Sequence, residues 1–182
     1  ILRDIQVPLI SAGVNKSDLR ARIRKRMIEN GTRCRCIRCR EVGLNGREGD
    51  DLNDDLELSL EEYRASGGKE YFISIDDKRK DLIVGYARLR RPSGSTHRKE
   101  IDSGCVIVRE LKVFGKSVPI HGIAKMGEWQ HRGHGKRLLD RCEELVSEWG
   151  NRILVNSGIG AREYYRKFGY SLNGHYMEKM IG

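Results

Sequence analysis

Apolar residues first recur with a helical period at Leu19, Ile23 and Met27, spaced i, i+4, i+8. This predicts a helix from Asp18 to about Asn30 with a narrow apolar stripe. Ser17 can cap its free first-turn amides, and Gly31 ends it. Residues 1–10 read as extended and broken at Pro8, and residues 44–54 as a flexible connector. The rhythm then changes to two. Leu56, Leu58 and Leu60 alternate with polar residues and predict a short strand, followed by a helical turn over Glu61–Ser66 closed by Gly67 and Gly68. Tyr71–Ile75 and Leu82–Leu89 flank the polar turn Asp76–Lys80, a hairpin signature. Cys105–Val113 is rich in β-branched residues and predicts a central strand. A glycine-containing loop through Gln130–Gly135 leads into the clearest helix, whose Leu138, Leu139, Cys142, Leu145, Val146 and Trp149 form one apolar face. Ile153–Val155 predicts a strand, Arg162–Phe168 a short helix and Tyr170–Met180 a last strand. The class is α/β (α+β): a mixed, mainly antiparallel sheet flanked by helices.

A length of 182 residues suggests one domain, or one domain with a small appendage. Apolar residues are 38% and charged residues 34%, enough for a core beneath a densely charged surface. No apolar run approaches the ~18–20 residues of a membrane helix, so no membrane partner is expected. The chain opens at Ile1 without a leader pattern and reads as a piece of something longer. The net charge of +9 hides segregation. Arg20, Arg22, Arg24, Lys25, Arg26, Arg33, Arg35, Arg38 and Arg40 face one acid, Glu29, in residues 20–40. Residues 48–62 carry Glu48, Asp50, Asp51, Asp54, Asp55, Glu57, Glu61 and Glu62 and no base. A charge run is often only a solvated face. Clustered arginines are also how proteins neutralise nucleic-acid phosphates, and Arg20, Arg22, Arg24, Lys25 and Arg26 are the candidates here. The acidic run reads as a solvated loop.

Three segments carry candidate chemistry. Gln130, Gly133, His134, Gly135 and Lys136 precede the long helix. Glycines let a backbone approach a ligand, and the helix N-terminus favours anions such as a diphosphate. This is neither a Walker loop nor a dinucleotide fingerprint, and a plain glycine turn is the bland alternative. In the strand before it, alternation places Val108, Glu110 and Lys112 on one face and Arg109, Leu111 and Val113 on the other. If that strand splays from its neighbour, its free backbone groups can pair with an extended amide-bearing ligand. In the third segment, adjacent Tyr164 and Tyr165 face different ways on a helix, so one can pack while the other offers a hydroxyl as donor or general acid. Apart from these, Cys34, Cys36 and Cys39 gather three thiols in six residues, an odd-cysteine pattern that favours a metal clip in a reducing compartment over a disulfide scaffold. Structural zinc takes four ligands. His97, Cys105 and His121 are candidates for the fourth, three metal-free thiols are the alternative, and Cys142 reads as core.

In this order the three segments resemble the GNAT acetyltransferase superfamily over roughly residues 70–182. The strings RDIQVPLISAGV, RCREVG, IVRELKVFGKSVPI, QHRGHGKRLLDRCE and GAREYYRKFGY extend that resemblance, over nearly the whole chain, to the C-terminal half of the Elongator catalytic subunit family. The resemblance implies an acetyl-CoA-dependent tRNA wobble-uridine carboxymethyltransferase. In it a radical on the acetyl methyl adds to uridine C5, and hydrolysis releases CoA. Glu110, Leu111, Lys112 and Val113 would line acetyl-CoA, while Gln130, Gly133, His134, Gly135 and Lys136 would hold its diphosphate. Tyr165 would contact the reactive end, supported by Tyr164, and Glu110 is the candidate for orienting water. Cys34, Cys36 and Cys39 resemble a zinc-binding linker found in some members. The radical S-adenosylmethionine domain, with its iron–sulfur cluster ([4Fe-4S]), has no counterpart here. The domains expected are then residues 1–14 as a remnant of that missing domain, 15–54 as a basic linker and 55–182 as the GNAT-type domain. Expected partners are tRNA, acetyl-CoA, the radical domain in cis and, in eukaryotes, other Elongator subunits; the expected location is the cytoplasm. A protein lysine acetyltransferase and an inert tRNA- and CoA-binding module are the competing readings.

Overall fold

The computed structural model describes residues 18–45, 56–102, 104–115 and 133–182. Ser17, most of the acidic connector, His121 and Gln130 lie outside them. The chain falls into two compact units, one ending at Cys39 and one beginning at Arg40.

The first unit contains helix α1 (Leu19–Glu29). Its apolar stripe is shallow: no residue of α1 is fully buried, Leu19 and Ile23 are exposed and Met27 is half-buried. The helix closes where expected, with Gly31 N–H donating to Ile28 O at 2.9 Å and Thr32 N–H to Met27 O at 2.8 Å. A cysteine-bearing turn follows, running into the short helix α2 (Ile37–Arg40).

The second unit is built on a seven-stranded sheet of order β1-β2-β3-β4-β5-β7-β6. Its strands are β1 (Glu57–Ala65), β2 (Gly68–Asp77), β3 (Leu82–Arg91), β4 (Cys105–Val113), β5 (Arg152–Val155), β6 (Ser171–Asn173) and β7 (Tyr176–Met180). Every pairing is antiparallel except β4 with β5. The helices of this unit are α3 (Val42–Asn45), α4 (His134–Ser147) and α5 (Arg162–Arg166). Helix α4 buries Leu138, Leu139, Cys142, Leu145 and Val146 against one face of the sheet. Each aliphatic side chain so buried contributes about 1.5–3 kcal/mol. Facing them are Ile73, Ile75, Ala87 and Leu89, and at the C-terminal end of α4 Trp149 stacks on Tyr71 at 5.4 Å.

Two expectations are corrected. Glu61–Ser66 is not a helical turn, because β1 runs unbroken to Ala65 with every residue paired to β2. Pairing over nine residues overrides the helix preference of two glutamates and an alanine. The last strand is two: β6 and β7 form a hairpin, paired from Ser171–Glu178 to Asn173–Tyr176. Among the described residues no helix is long and apolar enough to cross a membrane.

Candidate active site

Strand β4 is held by β5 only over Cys105–Val108, whose partners are Arg152–Val155. Beyond that point β5 has ended, and Glu110–Val113 keep β3 as their sheet neighbour. The opening is therefore a consequence of unequal strand lengths, and residues 109–113 are partly or fully exposed along it. A register shift lies at the same place. Arg88 pairs with Glu110 but Leu89 with Val108, leaving Arg109 as an extra residue, a β-bulge. Strict alternation had put Val108 and Glu110 on one face. The bulge separates them: Val108 stays with buried Leu89 on the α4 side, and Glu110 goes with Arg88 on the other.

The bulge is anchored by Glu70, a residue that no local pattern singles out. Glu70 on β2 is 1% exposed, and its Oε1 accepts from Arg109 at 2.7 Å and Arg90 at 2.9 Å. Arg88 stands 3.7 Å from the other oxygen. Burial alone would raise this carboxyl's pKa, but the hydrogen bonds from Arg90 and Arg109 and the charges of Arg109 and Arg88 outweigh it and hold it below the usual range. Glu110 in turn accepts from Tyr86 Oη at 2.5 Å, with Arg88 at 3.9 Å. Burial and the Glu110 carboxylate both push the Tyr86 phenol up, so Tyr86 is a fixed donor to Glu110.

The far end of the opening is the N-terminus of α4. Gly133 caps it at φ 80, a left-handed conformation that glycine adopts without strain. A Cβ on Gly135 would meet Tyr164 Oη at 2.5 Å and Val113 Cγ2 at 3.8 Å. Glycine thus brings three elements together: the start of α4, the end of β4 and the tyrosines of α5. Tyr164 is the one whose hydroxyl reaches this junction. Tyr165 is 7% exposed, edge-on to Tyr164 at 5.3 Å and to Tyr170 at 5.8 Å. Burial pushes both phenols up to about 12, with Asp140 adding to the shift at Tyr164 and the Tyr164 and Cys142 groups at Tyr165. Lys136 pairs with Asp140 and lies over the Phe168 ring at 5.4 Å. Lys112 lies over Phe114 at 5.0 Å. Chemically, the arrangement offers the first-turn amides of a helix for an anionic group, a strand edge that no described strand pairs beyond Val108 for an extended chain, and a phenol between them.

In the first unit, the sulfurs of Cys34, Cys36 and Cys39 all lie within 4.8 Å of one another. Thiolates about 2.3 Å from a tetrahedral zinc stand roughly 3.8 Å apart, so the three fit one ion after a small contraction. Arg20 Nη2 donates to Cys36 Sγ at 3.0 Å and Cys39 Sγ at 3.4 Å. A hydrogen bond from the Cys39 backbone, then the one from Arg20, lower the Cys36 thiol to about 6. Arg22, Arg24, Lys25 and Arg26 are exposed along α1, with Lys25 4.0 Å from Glu29. Of the candidates for a fourth ligand, His97 is exposed and His121 lies outside the described residues. Cys105 sits in a core cluster with Leu154 and Tyr176, where burial pushes its thiol up to about 11. Cys142, read as core, is fully buried.

Comparison with known proteins gives the family. The model of the acetyltransferase (GNAT) family matches residues 42–170. The whole chain is 44% identical to a tRNA uridine(34) acetyltransferase of Methanocaldococcus jannaschii, spanning 34% of that protein. It is 41% identical to Elongator complex protein 3 of Drosophila melanogaster, spanning 33% of it. The chain thus covers about a third of the curated relatives it matches. Among solved structures, the Elp3 of Methanocaldococcus infernus with an N-terminal deletion superposes with a TM-score of 0.82 at 43% identity, over 98% of this chain and 43% of that one. The chain belongs to the acetyltransferase (GNAT) family, as the acetyltransferase-fold domain of the Elongator complex protein 3 and tRNA uridine(34) acetyltransferase family.

Proposed function

We propose that this chain binds acetyl-CoA and opens its thioester within a tRNA-modifying enzyme acting at C5 of the wobble uridine. The observation that carries the reading is the convergence at Gly135, where the open half of β4, the amides that begin α4 and the Tyr164 hydroxyl meet. The backbone amides of His134, Gly135 and Lys136, within the helix dipole, bind the diphosphate, and Gln130 adds to that loop. The edge of Glu110–Val113 that no described strand pairs takes the amides of the pantetheine arm as an additional strand would. Acetyl-CoA supplies the two-carbon group and a thiolate leaving group.

The remaining residues hold protons in place. The raised pKa values of Tyr164 and Tyr165 keep both phenols protonated at neutral pH, and a phenol beside a departing sulfur donates a hydrogen bond or a proton to it. Tyr164 reaches that junction directly, while Tyr165 packs behind it. Glu110, with one oxygen engaged by Tyr86 and the other 3.9 Å from Arg88, is the carboxylate that orients a water for attack on the thioester. The exposed basic side chains of α1, Arg22, Arg24, Lys25 and Arg26, meet tRNA phosphates. Cys34, Cys36 and Cys39 hold a structural zinc that keeps their turn folded. The radical chemistry, with its iron–sulfur cluster and S-adenosylmethionine, belongs to a partner domain of the longer proteins of the family, alongside other Elongator subunits where these occur.

The test is an acetyl-CoA titration of the full-length enzyme with and without tRNA, followed by nucleoside analysis. The expected result is acetyl-CoA hydrolysis that rises with tRNA and a carboxymethylated uridine product. Acetylated lysine on a peptide with no response to tRNA would move the chain to the protein acetyltransferases. CoA binding with no turnover under any condition would leave it a binding module.

A further inference from the structure

Helix α1 presents a structural problem. It buries none of its residues, and Leu19 and Ile23 are 39% and 49% exposed. An isolated helix of this length is marginal in water, so its order must come from ties to the rest of its own unit. At its C-terminal end, Thr32 Oγ1 adds a bond to Met27 O at 3.0 Å. Near its N-terminal end, Asp18 is the cap residue and makes no side-chain cap hydrogen bond. The tie there comes instead from Arg20, which reaches across the chain reversal to two sulfurs, Cys36 Sγ at 3.0 Å and Cys39 Sγ at 3.4 Å.

Arg20 sits at the head of the basic run and looks like one more phosphate contact, but its guanidinium is directed at thiols. The chemistry suits that direction. Three thiolates on a divalent ion leave the cluster with a net negative charge. A guanidinium is always cationic and presents several donors in a rigid plane, so it can serve two sulfurs at once. Partners of this kind, which bond to ligands rather than to the metal, orient a site and tune its affinity.

We infer that Arg20 is a positioning residue for a metal bound by Cys34, Cys36 and Cys39, and that through it metal loading holds the basic helix in place for RNA. This inference rests on the zinc and RNA readings above. It separates Arg20 from Arg22, Arg24 and Arg26, which remain phosphate contacts. Metal uptake and RNA affinity are therefore linked through α1 and not only through general folding of the chain.

The experiment uses the full 182-residue chain, its R20Q and R20K variants, and R22Q as a control. Zinc affinity is read by competition with a chromophoric chelator. Helicity is read by far-UV circular dichroism, and binding of unfractionated tRNA is read across a range of salt, each with saturating zinc and after chelation. R20Q is expected to lose about tenfold in zinc affinity, the lower end of the range for such partners. R20K is expected to recover part of it, since an ammonium keeps the charge but not the fork. Chelation is expected to lower helicity and tRNA affinity in the unmodified chain and to change R20Q much less. With zinc saturating, R20Q should keep the parent salt dependence, whereas R22Q should lower its slope by about one. An R20Q chain with parent zinc affinity and a shallower salt slope would make Arg20 a phosphate contact and overturn the inference alone. A parent chain that takes up no zinc would overturn both the inference and the metal reading. If no chain binds tRNA, the RNA reading fails and the linkage to RNA with it, while a lower zinc affinity in R20Q would still place Arg20 at the metal.

Discussion

Gly135 is the residue where the site is most sensitive to a single carbon. Alanine is favoured over glycine by about 1 kcal/mol in a helix interior and by less in the first turn, where Gly135 stands, yet a methyl here would sit 2.5 Å from Tyr164 Oη. The phenol is the far end of a side chain and can swing away, so G135A is expected to keep or slightly raise the melting temperature while acetyl-CoA affinity falls about tenfold. Calorimetric titration beside a thermal scan checks both halves; unchanged affinity would mean that neither the glycine backbone nor the Tyr164 position matters to the ligand. The tyrosines are separated by removing only their hydroxyls. Y164F is expected to slow thioester hydrolysis at least tenfold. Y165F, whose ring lies buried between Tyr164 and Tyr170, is expected to change it less than threefold; the reverse order would make Tyr165 the proton donor. The pair also sets an alkaline limit. Free phenols ionise near pH 10, and the folded ones hold their protons to about 12. The unfolded chain therefore loses protons first as pH rises, so this contribution is fully present below about pH 10 and is lost between there and about 12. Denaturant unfolding from pH 8 to 12 would show it. The spacing of Gly133, Gly135 and the tyrosine pair was legible in the sequence because it is a local pattern. Which tyrosine faces the junction was not, since that depends on how a five-residue helix is rotated against its neighbours.

At the scale of elements, the decisive feature is the bulge in β4, which sequence alternation cannot reveal. Val108-Arg-Glu-Leu-Lys-Val113 alternates well enough to read as a plain strand, and it takes pairing with β3 to expose Arg109 as the extra residue. The glutamate that steadies it is thirty-nine positions away. The helical reading of Glu61–Ser66 failed for a related reason: propensity is local, whereas nine pairings with β2 are not. Glu70 gives the bulge a test. E70A would leave Arg90 and Arg109 without their shared carboxylate and is expected to destabilise by about 3–5 kcal/mol, the range for removing one member of a buried ion pair. R109A removes a side chain that is 47% exposed and is expected to cost about 1 kcal/mol or less, while weakening acetyl-CoA binding several-fold by loosening the bulge. A melting temperature for E70A within two or three degrees of the parent would show that the arginines re-pair and that Glu70 does not hold the strand. Acid should act in the same direction. Because the Glu70 carboxyl is held below its ordinary value, its contribution is fully present above about pH 4.5 and is lost as pH falls through the folded value.

At the scale of the whole molecule, the segregation of charge matters more than the net +9. Composition alone could not decide between a solvated basic face and an RNA surface, and the fold narrows the choice by giving two of the arginines other tasks. Arg20 lies on the cysteine sulfurs, and Arg40 forms ion pairs with Asp81 at 2.9 Å and Asp76 at 3.3 Å at the end of the β2–β3 hairpin. On α1 this leaves Arg22, Arg24 and Arg26, with Lys25 facing Glu29, as exposed cations. Arg22 and Arg26 are one turn apart and share a face, with Arg24 well around the helix from them. If each of the three meets a phosphate, replacing all of them by glutamate should flatten the salt dependence of tRNA binding by about three in log–log slope, at ~0.9 per contact on a duplex. Affinity at low salt should fall by at least a hundredfold. Acetyl-CoA affinity should not change, because the substitutions lie in the unit that ends at Cys39 and the glycine, strand and tyrosine site lies in the other. A triple variant that loses RNA and acetyl-CoA together would point to general misfolding, and one that keeps its salt slope would reduce the helix to a solvated face. A selective loss of slope would show that this chain reads RNA and binds its acyl donor through residues of two different compact units.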